Sequence, residues 1–456
     1  MKLTPTHQSG SFLQRKELRN LAGAKKIGRL IVLSSWMLAA CMAQPAVTNQ
    51  IPPSLAPPQA DTITATPAAT EAPQATTNAA IPVPTDTPML IPTAAPATLP
   101  VISEAPRPLA LVAPERPVNL PAGFAIGVFA LGLNGPRMMT IGPDGMLYVA
   151  ERGANRIVRL PDQNGDGVAD GMQVVADNLT RPSSLAFYKD GSLYVGETTR
   201  ILRLSNPDER GVFQQRQVVI DGLPSGGHNT RSVLFSPDWQ TLYVSIGSSC
   251  NDCIENDPRR AAIMRYNPNG SDGQVFASGL RNAVGIAFRP GTNELWATNN
   301  GRDYLGDDLP PETVNLVGQG NNFGWPRCHA GDIIDPEYGD PNACVGVVQP
   351  MVKMQAHSAP LGLNFYTGSK FPVEYQGGLF VAFHGSWNRS VPTGYKVVFI
   401  PFQEGKPGAA QDFATGWLAN GADWGRPVDV ITAPDGGLFV SDDTGGKIYI
   451  IIYTGG

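Results

Sequence analysis

One histidine of this chain stands where an imidazole could work. His228 lies in a glycine-rich run, GLPSGGHNTR (residues 222–231), just ahead of the apolar stretch from Ser232 to Phe235, which reads as a strand. In a loop that delivers the chain into a strand, an imidazole with an ordinary pKa near 6.5 can meet a ligand and take a proton from a hydroxyl at neutral pH. The bland reading is a turn histidine whose hydrogen bonds are already satisfied. A second cluster bears on that choice. Arg281 and Asn282 precede another apolar stretch, and Asn299-Asn300-Gly301-Arg302-Asp303 follows the next one. The guanidinium forks of Arg281 and Arg302 suit carboxylates. Asp303, Asp307, Asp308 and Glu312 offer hard oxygen atoms to a cation such as calcium, unless they are simply a solvated loop. A third run, Asp162-Gln163-Asn164-Gly165-Asp166-Gly167, with Asp170 beyond it, places oxygens at alternating positions. It resembles the first half of a calcium-binding loop without the distal glutamate, and Asp/Gly hairpins give the same pattern.

The elements that would position these residues recur along the chain. From residue 118 onward an apolar stretch, a Pro/Asp/Gly turn, an alternating strand, a polar loop and another strand follow one another repeatedly. The unit begins near Met139, Leu185, Val233, Ile286, Leu361 and Val428, and the turn aspartates Asp144, Asp190 and Asp238 recur at intervals of 46 and 48 residues. That period suits four strands and their turns, one blade of a propeller. No segment keeps a 3.6-residue period, so the predicted fold class is all-β, a six-bladed β-propeller over 116–456. Such a ring gathers loops at one end of a central channel.

Ahead of the repeats the composition changes. Lys25, Lys26 and Arg29 precede an apolar run, Leu30 to Ala40, that is too short for the ~18 to 20 residues of a membrane span. Leu38-Ala39-Ala40-Cys41 closes it and resembles a lipobox, so residues 1–41 are expected to be a lipoprotein signal peptide with lipidation at Cys41. Residues 42–115 are dominated by Pro, Ala and Thr and lack the aromatics of a core, which predicts a disordered tether. The expected location is extracytoplasmic, held to the cell membrane through the lipid alone. Export permits disulfides, and the four remaining cysteines pair most simply as Cys250–Cys253 and Cys328–Cys344. A zinc or redox role for Cys250 and Cys253 finds no second pair at metal-ligand spacing. The net charge of -5 gives no basic bias toward nucleic acid.

Taken in order, GGHNTR, LRNAVGIAF, NNGRD…GDDLPPETVN, NNFGWP, HSAPLGLNFYTG, HGSWNRS…GYKVV and GRPVDV…APDGGLFVSDD resemble the soluble pyrroloquinoline quinone (PQQ)-dependent glucose and L-sorbosone dehydrogenases. The resemblance covers residues 118 to 455. It implies His228 as general base for a sugar hydroxyl and hydride transfer to PQQ, which has three carboxylates. Arg281 and Asn282 would contact PQQ near its reacting carbonyl, and the backbone carbonyls of Gly301 and Arg302 would hold a bridging Ca2+. Arg426 would grip a PQQ carboxylate. His357 aligns with another cofactor contact, and His384 or Arg389 stands where the glucose dehydrogenases carry a lysine. Val428 replaces a second arginine of those enzymes, which points to the sorbosone-type branch.

The expected partners are a sugar substrate and an external or membrane electron acceptor. Two other functions fit a propeller: a calcium-dependent lactonase-type hydrolase, and a tethered module that only binds carbohydrate or protein.

Overall fold

The computed structural model describes residues 111–455; Cys41, the leader 1–41 and residues 42–110 of the expected tether lie outside the described residues. Six antiparallel four-stranded sheets follow one another in the chain. Their inner strands are Pro136–Ile141, Ser184–Phe187, Arg231–Phe235, Ile286–Phe288, Pro360–Phe365 and Pro427–Thr432, which we number as blades 1 to 6. These are the six starts the repeat predicts. Neighbouring inner strands touch around the ring, blade 6 against blade 1 included. The only helix among the described residues is a short 3-10 turn, Val373–Tyr375.

Local sequence explains why each unit folds as a blade. The second strands read almost alike: Leu147–Glu151 (LYVAE), Leu193–Gly196 (LYVG), Leu242–Ile246 (LYVSI), Leu295–Asn299 (LWATN), Leu379–Phe383 (LFVAF) and Leu438–Asp442 (LFVSD). They are apolar on both faces because a blade is covered on both faces by its neighbours, and nearly all their residues are buried. The hydrophobic core is accordingly divided into clusters between successive blades. One packs Tyr148 and Leu185 between blades 1 and 2, and another packs Trp296 and Phe365 between blades 4 and 5. A further small cluster, Met138, Val284, Leu361 and Val428, joins residues in or next to the inner strands of blades 1, 4, 5 and 6.

Closure comes from the N-terminal end of the described chain. Blade 6 has only three strands from its own repeat, and its outer strand is Phe124–Leu131, paired antiparallel with Lys447–Tyr453. Leading into it, the Val112 carbonyl accepts a hydrogen bond from Val128 N at 2.7 Å. Both expected disulfides, Cys250–Cys253 and Cys328–Cys344, are formed. The second bridge sits in a long excursion of blade 4, between Glu312–Val317 and Val352–Met354.

Phe124 anchors the closing strand, with its ring edge-to-face against Phe371, Tyr375, Phe413 and Tyr453 at 4.8–5.1 Å. Removing a large aromatic from such a cluster costs a few kcal/mol. Phe124→Ala should therefore lower the unfolding free energy by about 2 to 3 kcal/mol in denaturant titrations. Leu131→Ala, at the exposed end of the same strand, should change it by less than about 0.5 kcal/mol; equal effects would contradict the anchoring role.

Candidate active site

Each inner strand begins at the same end of the ring, so the loops that precede the strands converge there. The segment 222–230 has carbonyls that no strand satisfies, and two buried arginines hold them. Arg231 donates to the carbonyls of His228 at 3.0 Å and Thr230 at 2.7 Å, while Arg260 donates to those of Gly226 at 3.0 Å and Gly247 at 3.2 Å. Backbone groups that are expensive to bury alone thereby fix the loop that carries His228. Gly247 is needed where the next strand ends, because a Cβ there would meet Asn282 Oδ1 at 2.5 Å and His228 Cβ at 2.6 Å.

The His228 ring has a defined tautomer. Nδ1 lies 3.2 Å from the Ser248 carbonyl and 2.9 Å from Ser248 Oγ, and that hydroxyl donates its own hydrogen to the Cys250 carbonyl at 2.6 Å. Both neighbours of Nδ1 are therefore acceptors, so Nδ1 carries the proton and Nε2 keeps the basic lone pair. Burial pushes the His228 pKa down to about 3, assisted by the Arg281, Arg260 and Arg231 charges. In the free protein the ring is neutral and ready to accept a proton.

His228 lines a polar pocket of about 230 Å³ with Arg281, Asn282, Gly301, His357 and His384. Residues from three blades, far apart in sequence, thus share one wall. Arg281 is held by Asn251, donating to its carbonyl at 2.8 Å and its Oδ1 at 2.9 Å, and it pairs with Asp303 at 3.0 Å. Asn282 Nδ2 donates to Asn300 Oδ1 at 3.1 Å. His357, in a left-handed conformation, contacts the Gly306 carbonyl through Nε2 at 2.8 Å. That carbonyl can only accept, so Nε2 is the protonated nitrogen of His357. A Cβ on Gly301 would meet Pro310 Cγ at 2.7 Å, so the chain passes too tightly there for any side chain. Behind it Glu312 accepts from Gly301 N at 2.7 Å and Ala359 N at 3.2 Å, and complete burial pushes its pKa up to about 8.

His384 joins this pocket to an open cleft of about 850 Å³ that also contains Arg426. Its Nε2 is 2.9 Å from Asp443 Oδ1, and Arg137 pairs with the other oxygen of Asp443 at 2.7 Å. Burial pushes the His384 pKa down, while His384 and Arg137 hold the Asp443 carboxyl well below the usual range. His384 is thus neutral at pH 7 and donates from Nε2. Arg426 donates to the carbonyls of His384 at 3.0 Å and Gly385 at 2.9 Å, and its guanidinium lies over Tyr395.

Other predicted residues stand apart. The Arg302 guanidinium is not available as a carboxylate fork, being buried against Asp252 and Asp335, and only its main chain remains for binding. Arg389 lines neither pocket nor cleft. It contacts the Asp307 carbonyl and lies 3.3 Å from Asp308 Oδ1, while Ser390 binds the Asp307 carboxylate. The four carboxylates between 303 and 312 therefore divide: Asp303 and Glu312 face the pocket, and Asp307 and Asp308 tie down the 389–390 loop. In the loop 162–170, Asp162 accepts from Asp166 N and Gly167 N, Asn164 from Asp166 N, Asp166 from Val168 N, and Asp170 from Gln163 N. These side chains cap their own backbone. Arg137, Asn300, Trp387 and Asn388 also line the pocket and were not singled out from sequence. The only signal for the last two was the HGSWNRS motif itself.

Fold and site together define a six-bladed propeller whose channel mouth combines one proton acceptor with several cations. The TrAA12-like family matches residues 118–337 and 336–454. The chain belongs to this TrAA12-like family. An uncharacterized protein of Borreliella burgdorferi is 30% identical over 357 residues, covering 74% of this chain and 91% of that one. A pyrroloquinoline quinone-dependent pyranose dehydrogenase of Coprinopsis cinerea is 27% identical, over 74% of this chain; the match spans only 55% of that enzyme's length. The holo form of the pyranose dehydrogenase PQQ domain from Coprinopsis cinerea superposes with a TM-score of 0.65 at 24% identity, covering 75% of this chain and 98% of that domain, a likeness of fold.

The protonation state is directly measurable. In the cofactor-free protein the His228 ring resonances, assigned by loss in His228→Gln, should stay at their neutral positions between about pH 8 and pH 5. A titration centred near the ordinary value of about 6.5 would contradict the buried, cation-flanked environment described above.

Proposed function

We propose that this propeller oxidises a sugar, sugar aldehyde or polyol with PQQ, using His228 as the base. The observation that carries the reading is the His228 tautomer: Nδ1 is committed to Ser248, and Nε2 is left basic in a pocket shared with Arg281 and Asn282. The residues present fit a planar tricarboxylate. Arg281 and Arg426 supply guanidinium donors, Asn282 an amide, and His357 and His384 imidazole rings. One buried polar atom at the same wall, Asn388 Oδ1, has no partner among the described residues. Bound PQQ supplies the two-electron oxidant that takes hydride from the sugar carbon, and calcium held by the carbonyls of Gly301 and Arg302 would polarise it.

The chain's own contribution is a proton acceptor and orientation. His228 Nε2 removes the hydroxyl proton as the C–H bond is lost, and Ser248 keeps the ring turned toward the substrate. Exposed Trp387, edge-to-face with exposed Tyr304 at 5.6 Å, gives the mouth an apolar flank for the C–H face of a sugar. Val428 and the 384–389 segment favour the sorbosone-type branch. Lipidation at Cys41 would place the enzyme on the extracytoplasmic face of the membrane, passing electrons to an external or membrane acceptor. A lactonase reading is disfavoured because both carboxylates in the pocket, Asp303 and Glu312, are engaged by Arg281 and by main-chain amides.

Reconstitution tests this reading. With PQQ, Ca2+ and a redox dye, the purified protein should reduce dye when given aldoses, and chelation of calcium should abolish the reaction. His228→Ala should lose about 10²- to 10⁴-fold in kcat while still binding PQQ. Arg426→Ala should instead require about tenfold or more additional PQQ for half-saturation. Wild-type turnover in His228→Ala would end the proposal, and a protein that binds sugar without reducing dye would leave the binding-module reading in its place. Separately, Cys41→Ser should move the protein from the membrane to the soluble fraction; unchanged membrane association would remove the anchor.

A further inference from the structure

The open cleft beside the His228 pocket has an unbalanced charge. Besides Arg426, assigned above to the cofactor, three arginines line it, Arg137, Arg152 and Arg181, and the only carboxylate among its lining residues is Asp443, already shared by Arg137 and His384. This concentration of positive charge lies in a chain whose net charge is -5. Like-charged guanidiniums brought together in partial burial destabilise one another unless an anion joins them. Burial and the neighbouring Arg137 and Arg181 push the Arg152 pKa down to about 10, with only Asp443 acting in the opposite direction. Arg137 supplies an independent observation. It is 8% exposed, lines both the cleft and the pocket, and its Nε has no hydrogen-bond partner among the described residues.

Position separates Arg152 and Arg181 from the groups assigned to the cofactor, of which His384 and Arg426 line the same cleft, while Arg137 faces both spaces. Arg137 and Arg152 belong to blade 1, and Arg181 precedes the inner strand of blade 2, whereas Arg281, Asn282 and His357 come from the loops before blades 4 and 5. Arg152 donates to the side chain of Asn229, the residue next to the base. Arg181 N is held by Asn155 Oδ1 at 2.9 Å, which seats that loop on blade 1. A molecule whose hydroxyl reaches His228 can therefore extend between Arg137 and Arg152 into the cleft.

Resting on the function proposed above, we propose that the substrate is a sugar bearing an anionic group, a uronate or a sugar phosphate, with that group held by Arg137, Arg152 and Arg181. A neutral sugar leaves these cations unpaired, whereas a carboxylate or phosphate accepts their forked hydrogen bonds. The anionic group takes no part in the redox step: hydride leaves the carbon for the quinone, and the hydroxyl proton goes to His228 Nε2.

The test compares glucuronate, glucose 6-phosphate and glucose as substrates of the holoenzyme loaded with PQQ and Ca2+. The wild type should show a higher kcat/KM for at least one anionic sugar than for glucose. Arg152→Leu and, at an exposed position less able to disturb folding, Arg181→Leu should each lower that ratio by about tenfold, through KM. Their PQQ dissociation constants should match the wild type. A wild-type ratio at or below one overturns the proposal, as do variants that weaken PQQ binding and leave the ratio unchanged, which would assign these arginines to the cofactor. Thermal unfolding of the cofactor-free protein provides a readout independent of turnover. Glucuronate or glucose 6-phosphate should raise Tm where glucose does not, and Arg152→Leu should remove the shift. Equal stabilisation by sulfate at the same ionic strength would overturn the proposal by showing that the cleft reads charge alone. Loss of all dye reduction with the anion-selective shift intact would refute the oxidase reading and leave the anionic-sugar site standing.

Discussion

The main-chain ladder between Phe124–Leu131 and Lys447–Tyr453 is the constraint on which the molecule depends. Six sheets strung on a linear chain would otherwise end in two exposed edges, one with unpaired amides and carbonyls and one with an uncovered apolar face. Drawing the outer strand of the last blade from the start of the domain turns the row of sheets into a ring. Because every blade then presents its inner strand in the same sense, the connections that lead into these strands arrive at a single mouth. Residues as distant as Arg137 and Asp443 meet there at 2.7 Å. The site is thus a consequence of closure, and the loops need only carry suitable side chains.

Cations organise that mouth in two ways. Arg231 and Arg260 are structural, satisfying the carbonyls of the loop that carries His228. Together with Arg281 they also depress the basicity of the imidazole. A base with a pKa near 3 is reliably deprotonated but weak, and general-base catalysis works best when the pKa lies near the working pH. A negatively charged ligand bound against the same arginines would offset their part of the shift, while the larger part, which comes from burial, would remain.

Much of this was readable in the sequence because the fold is repetitive. The six apolar starts from Met139 to Val428 coincide with the six inner strands, and the turn aspartates mark the hairpins. His228, Arg281, Asn282, Gly301, His357 and His384 could be found because each adjoins a strand of its own blade, so local pattern predicts which end of the ring it occupies. Pairing across the ring was not readable. The charges of Arg302 and Arg389 looked available until their partners Asp252, Asp335 and Asp308 were known. Likewise, the alternating oxygens of 162–170 do not reveal that the loop turns them onto its own amides. Chemical type can be read along a chain, but whether a charged group is already neutralised depends on contacts between blades.

The same distinction explains why the family can be recognised while the substrate is left open. The residues suited to a quinone and its cation come from the loops before the inner strands and after the second strands of blades 4 and 5 and from the loop before blade 6, where the extended motifs lie. The cleft next to the base is instead walled by Arg137, Arg152 and Arg181 on blades 1 and 2, where the sequence around them is an ordinary blade repeat. Arg152 and Arg181 can change without disturbing a strand or the cofactor pocket, since they extend from loops beside Asn229 and Asn155. Substrate choice can then diverge while the redox centre stays the same, with the guanidinium excess of the cleft supplied by blades 1 and 2.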